Sequence, residues 1–230
     1  MKAVSIVIKD NAVSELGYSK LVESSKSVGN NFDIVRWDAI TPNKVDDFMQ
    51  ISGIKWNYPW GGEVVDFATG LKKSAYKTVN PKARMACACS HYSLWQESSK
   101  TDTTMLVLEH DATFINKIDF DPKDVKAEIL GINNPLGATR KSQLYYDMIM
   151  ESSASYQLVP WIDNAYVPQG LAGNSAYIIK PSGANHLIEL VKQYGLWPND
   201  AIMCRQLVPR LGVTRKFYTN IQGLKSTTSL

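Results

Sequence analysis

Four consecutive apolar residues, Met105-Leu106-Val107-Leu108, run directly into Glu109-His110-Asp111. A short apolar run of this kind reads as a buried strand that delivers the acids after it to one end of a sheet. Open α/β sheets bind ligands at the carboxyl ends of their strands. Carboxylate oxygens there suit a hard divalent cation such as Mg2+ or Mn2+, which in turn holds a diphosphate. A strand that simply ends in a solvated acidic turn carries the same residues, and from these alone that plainer reading leads.

The rest of the chain alternates strands and helices. Residues 3–8 read as a first strand, and 12–28 as a helix that stops before Gly29-Asn30-Asn31. Residues 34–37 form a second strand, and Thr41-Pro42 opens a short helix over 44–52. Pro59 and the Gly61-Gly62 pair make 57–62 a loop, in which Trp56, Tyr58 and Trp60 are expected to lie exposed as a lid or contact surface. Residues 82–99 place Met85, Cys89, Tyr92 and Trp95 near helical spacing. Further strands are expected at 129–132, 157–161 and 174–179, and helices at 182–194 and 199–211. Interleaving of this kind implies an α/β fold with a mostly parallel central sheet flanked by helices. Without a repeat, coiled coil or low-complexity linker, residues 1–230 are expected to form a single domain.

Composition narrows the class. Charged residues at 20% and hydrophobic residues at 44% describe an ordinary globule, which excludes a disordered tail or a fibre. No apolar stretch approaches the roughly 18 residues of a membrane span, and the run at 3–8 ends in Lys9-Asp10, as a strand does and a signal peptide does not. Cys87, Cys89 and Cys204 are odd in number and lack zinc spacing, so they read as buried thiols in a reducing, cytoplasmic setting. A Rossmann dehydrogenase fits poorly, because the first strand leads into Lys9-Asp10-Asn11 and not a Gly-rich phosphate turn.

Two blocks place the acidic turn in context. Met85-Ala86-Cys87-Ala88-Cys89-Ser90-His91-Tyr92-Ser93-Leu94-Trp95-Gln96 precedes Met105-Leu106-Val107-Leu108-Glu109-His110-Asp111-Ala112-Thr113-Phe114. Together they resemble the centre of family 25 glycosyltransferases, the lipopolysaccharide-type sugar transferases: a small-residue helix ending in Ser-His, then a strand ending in Glu-Asp-Asp. Gly173-Asn174-Ser175-Ala176-Tyr177 resembles the family's Gly-x-x-Ala-Tyr segment, and Asp200 and the stretch 222–228 also sit where the family has similar residues. The chain departs from the pattern in three places. His110 replaces the middle acid, the arginines usual after the first strand are absent, and Lys82-Ala83-Arg84 stands where an acid usually precedes the helix.

The resemblance implies a GT-A-like domain that moves a sugar from a nucleotide-sugar donor, UDP-linked, to an acceptor hydroxyl with inversion. Asp111, with Glu109 and His110 assisting, would hold Mn2+ or Mg2+ against the diphosphate. Glu109 alternatively contacts the donor ribose or fixes the loop. Lys9, Asp10 and Asp38 would line the nucleotide pocket, with Gly173 and Asn174 against the donor sugar. Asp200 is the candidate general base, although Pro198-Asn199-Asp200 is equally an ordinary helix start. His91 reads as a packed, hydrogen-bonded histidine.

Charge bears on the acceptor. Lys72, Lys73, Lys77, Lys82 and Arg84 fall together without an acid, with Tyr76 among them. Such a run is usually a solvated face, but it also suits phosphates. Two acceptors therefore stand: a sugar of lipopolysaccharide or another surface glycan, or a hydroxymethyl pyrimidine in DNA held by Lys72, Lys73, Lys77 and Arg84. A decayed transferase that binds a glycan or a partner protein is the non-enzymatic alternative.

Overall fold

The structure, a computed structural model, describes residues 1–224. Its elements run β1 (Lys2–Val7), α1 (Ala12–Ser27), β2 (Ile34–Asp38), α2 (Val45–Ser52), β3 (Glu63–Asp66), β4 (Leu71–Ser74), α3 (Pro81–Thr101), β5 (Met105–Glu109) and β6 (Ala112–Phe114). There follow β7 (Ile129–Gly131), α4 (Ser142–Glu151), β8 (Tyr156–Leu158), β9 (Ala176–Ile179), α5 (Pro181–Tyr194), α6 (Asn199–Ile202), β10 (Leu211–Thr214) and β11 (Thr219–Ile221).

The apolar run is the middle of the main sheet. Seven strands lie in the order β2-β1-β5-β9-β7-β10-β8. Five of the seven point the same way, and only β9 and β8 run against them. Alternation along β5 explains why all four apolar residues are needed. Met105 and Val107 join one core cluster with residues of α3 and α5, while Leu106 and Leu108 join another with Leu21 of α1. A strand buried on both faces favours apolar residues until it leaves the sheet, and Glu109 stands at that exit.

Helix ends are set locally. Asn11 caps α1 by accepting from the Ser14 N–H at 3.0 Å, and the Ser14 hydroxyl accepts from the Ile8 N–H at 2.8 Å. Helix α3 starts at Pro81 behind an Asn80 cap, and the small residues Ala86, Ala88 and Ser90 are buried. The Ser90 hydroxyl accepts from the Ile40 N–H at 2.9 Å, which ties the loop after β2 to α3.

Several expected elements differ. The helix over 199–211 is only Asn199–Ile202, because the Arg205 N–H goes to Gln169 O at 2.9 Å and Pro209 bars a helical continuation. The β3–β4 hairpin, helix α4 and the β6–β11 pair were not legible. Tyr58 is buried at 9% exposure, whereas Trp60 remains 43% exposed. Among the described residues no helix is long and apolar enough to cross a membrane.

Candidate active site

The carboxyl ends of β1, β2 and β5 meet around a cavity of about 270 Å3. Its floor is Glu109, His110 and Asp111, one wall is Cys87, Ser90 and His91 of α3, and Ile221 and Leu224 close the far side. Strand β6 turns back immediately after Asp111 to pair with β11, so the acidic turn is tight. Gln222 then pins it. Its backbone N–H donates to Asp111 O at 2.7 Å, and its side-chain amide reaches Ala112 O at 2.8 Å, His110 O at 3.2 Å and Gly17 O at 2.8 Å. A Cβ on Gly17 would stand 2.6 Å from His110 O, so only glycine lets α1 lie this close to the turn.

Asp111 is held in an unusual state. Its Oδ1 is buried without a hydrogen-bond partner among the described residues. Burial, and then the neighbouring Glu109 charge, push its carboxyl up to about 7. A cation at this spot would remove both penalties, so the oxygen donors here fit a hard divalent ion such as Mg2+ or Mn2+. His110 is buried, and burial pushes its ring below the usual histidine range, leaving it neutral at pH 7. It brings no charge to replace the missing acid.

Glu109 is oriented from behind. The Trp95 Nε1–H donates to Tyr177 Oη at 2.9 Å, Tyr177 Oη lies 2.9 Å from His91 Nδ1, and His91 Nε2 lies 3.2 Å from Glu109 Oε1. One proton arrangement satisfies every group: the hydroxyl donates to Nδ1, and Nε2–H donates to the carboxylate. His91 is fully buried, as are Trp95 and Tyr177, so this relay is a rigid backstop for one oxygen of Glu109. Cys87 Sγ, His91 and Glu109 also offer three ligand atoms within 4.8 Å of one another. Burial holds the Cys87 thiol well above its usual range, however, and both His91 nitrogens already have partners, so this set suits a soft metal poorly.

Asp200 joins the same neighbourhood. Burial raises its carboxyl, the Arg84 guanidinium and the Tyr76 hydroxyl oppose that rise, and Glu109 lies within electrostatic reach. Asn199, one residue earlier, lies 3.9 Å from Cys87 Sγ through its side-chain oxygen. Lys9, Asp10 and Asp38 line a neighbouring depression of about 380 Å3, where Arg36 bridges Glu15 at 2.7 Å and Asp38 at 2.9 Å. Asn174 buries both amide atoms without a partner among the described residues. The next residue accepts from the Glu109 N–H at 2.7 Å through Ser175 O, which sets Asn174 beside the acidic turn. The close approach at Gly173 is to the Asn133 amide, 2.7 Å from where a Cβ would be.

Within the basic run, Lys73 does not fit a phosphate-binding role. Lys73 is 3% exposed, paired with Asp66 at 2.5 Å and placed over the Trp197 ring at 4.6 Å, so it is unavailable to a phosphate. Lys72 pairs with Glu63 at 2.8 Å, Lys82 pairs with Asp46, and Arg84 lies over Tyr76 and donates to Thr78 Oγ1 at 2.9 Å. Lys77 is exposed. The residues that sequence reasoning missed are Tyr177 and Gln222 as individuals, though each sat in a segment singled out by resemblance. The Ser226-Thr227 pair lies outside the described residues.

The mostly parallel sheet flanked by helices makes this an α/β fold. The model for glycosyltransferase family 25 (LPS biosynthesis protein) matches residues 25–203, and the chain belongs to that family. No curated protein matches it. Among solved structures it is similar to the galactosyltransferase LgtC in complex with donor and acceptor sugar analogs, at 12% identity and a TM-score of 0.44, over 93% of this chain and 73% of that one. An active-site mutant of LgtC gives 13%, 0.42, 93% and 72% for the same measures. Mouse xyloside xylosyltransferase 1 in its apo form gives 11%, 0.42, 91% and 83%.

Proposed function

We propose that the chain transfers a sugar from a UDP-linked donor to a hydroxyl of a surface glycan of the lipopolysaccharide type, with inversion and with a divalent cation. The observation that carries this reading is Glu109, at the carboxyl end of β5, within electrostatic reach of both Asp111 and Asp200, whose carboxyls are raised by burial. A bound Mn2+ or Mg2+ supplies positive charge to the donor diphosphate and to the leaving nucleotide. Asp111 presents its unpartnered oxygen for that ion, and Glu109, fixed through His91, offers its second oxygen to the ion or the ribose. The apolar side of the cavity, with Ile8, Ile40 and Ile221, accommodates the flat base, and Lys9, Asp10 and Asp38 in the neighbouring depression meet the rest of the nucleotide.

Asp200 takes the proton of the acceptor hydroxyl as that oxygen bonds to the anomeric carbon, and the bond from that carbon to the diphosphate oxygen breaks. A carboxylate whose proton affinity is raised by burial is a better base than an exposed one. A glycan acceptor is favoured over hydroxymethylated DNA because Lys72 and Lys73, half of the DNA-binding set, are already paired. All three cysteines are free thiols, in keeping with the cytoplasm as the place of reaction.

Calorimetric titration of UDP in Mn2+, then in chelator, tests the reading on the wild type and Asp111→Asn. Binding that needs the metal and is lost in the variant supports it. Absence of UDP binding, and no hydrolysis of any UDP-sugar, would overturn it and assign the chain a binding role.

A further inference from the structure

Trp60 is a large aromatic residue left 43% exposed on a loop that the fold holds firmly. Its indole lies flat against Trp56, with ring centroids 5.0 Å apart and planes 9° from parallel. Trp56 in turn donates its Nε1–H to Tyr58 O at 2.9 Å, and its backbone bridges to Leu196. Asn57, between them, is tied three ways: its N–H to Leu196 O at 2.9 Å, its amide to Tyr194 O at 2.7 Å, and its carbonyl to Lys73 Nζ at 2.9 Å. The two indoles are therefore pre-set in place and need no ordering when something binds.

The rings lead inward. Tyr58 stacks on Tyr76 with centroids 5.8 Å apart and an angle of 27°. The Tyr76 hydroxyl lies within electrostatic reach of the Asp200 carboxylate. With Trp56 and Tyr58 meeting edge-on at 6.5 Å, a file of aromatic rings thus runs from an indole facing water toward Asp200. Core packing accounts for Tyr58 and Trp56, but it leaves the outer part of Trp60 in water, where its apolar area contributes nothing until a ligand covers it.

We propose that the Trp56–Trp60 pair is an acceptor subsite that stacks a pyranose ring of the glycan, while the sugar being modified lies further along the file at Asp200. A pyranose has one face of polarised C–H groups, which the electron-rich face of an indole attracts, and its rim of hydroxyls stays in water. A nucleic-acid base would stack as well. The adjoining hairpin offers such a strand little free positive charge, since its Lys72 and Lys73 are paired. The placing of the modified sugar, though not the stacking itself, rests on Asp200 as the base.

The test uses the full chain on a printed array of bacterial oligosaccharides, with oligothymidylate as the nucleic-acid control. Trp60→Ala is expected to lose about tenfold in glycan binding, the usual effect of truncating a central aromatic anchor, and Trp60→Phe to recover most of it. Equal binding by wild type and Trp60→Ala, or wild-type binding to oligothymidylate and to no glycan, would overturn the subsite. Transfer assays on Asp200→Asn separate the two ideas. Unchanged transfer in that variant together with glycan binding lost in Trp60→Ala retires the base and keeps the subsite. Abolished transfer together with unchanged glycan binding in Trp60→Ala retires the subsite alone.

Discussion

Replacing Asp111 by Asn is expected to stabilise the metal-free protein at neutral and alkaline pH. In the unfolded chain this carboxyl ionises near 3.8, and in the folded protein near about 7. A raised acid holds its proton in the native state over a range where the unfolded state has lost it. Folding stability therefore falls as pH rises from about 4 to 7, and levels off above that. At about 1.36 kcal/mol per pH unit the full penalty is about 4 kcal/mol, and about 2–4 kcal/mol once relaxation around the charged form is allowed. Asn keeps the shape of the neutral acid and cannot ionise, so the variant escapes the penalty.

The assay is thermal or urea unfolding of both proteins in chelator from pH 4 to 8. The two should be alike near pH 4 and diverge to a difference on the order of 10 °C in Tm by pH 8, from about 2–4 °C per kcal/mol for a chain of this size. Adding Mn2+ at about 100 times its Kd should restore about 2.7 kcal/mol to the wild type at pH 8 and nothing to the variant. Parallel stability curves from pH 4 to 8, or a variant less stable than wild type at pH 8, would refute the reasoning. Such a result would mean that the Asp111 oxygen has a partner in solution.

Three further perturbations separate the parts of the site. Lys73→Met leaves the Asp66 carboxylate buried without its cation and is expected to destabilise by about 3–5 kcal/mol in urea unfolding, while duplex DNA binding, if any is seen, stays as it was. Tyr177→Phe takes the partner from both Trp95 Nε1 and His91 Nδ1; a loss of about 1–3 kcal/mol by denaturation, with a fall in UDP affinity as Glu109 loses its fixed orientation, is the expected pair of results. Gly17→Ala drives a Cβ into His110 O from 2.6 Å, and should weaken Mn2+-dependent UDP binding in calorimetry more than it lowers Tm.

What was legible in the sequence follows from how far apart the interacting residues lie. Strand β5 and its acidic exit could be read because four residues in a row declare burial on both faces, and α1, α3 and α5 could be read because caps and periodicity are local signals. The β3–β4 hairpin could not, since its strands are short and mixed in character, and the Asp66–Lys73 ion pair that stabilises it looks in sequence like an acid and part of a basic run. The same blindness put Lys73 among the residues of a phosphate face. Partners decide what a lysine is for, and the run itself names none. His91 was correctly read as packed, but its role depends on Tyr177, 86 residues away, and on Glu109.

His110 shows how structure changes the meaning of a departure. In sequence it removes one acid from a motif of three and suggests a weakened site. In the structure the turn is buried and pinned by Gln222, and Asp111 is already pushed up to about 7 by burial and by a single neighbouring carboxylate. A third acid at position 110 would add another like charge in the same low-dielectric turn and drive that carboxyl higher still. A neutral imidazole leaves two acids for one divalent cation, a balance in which Asp111 can still ionise near neutral pH. The substitution is thus compatible with a working cation site, because the charge it removes is one that this buried turn would have struggled to carry.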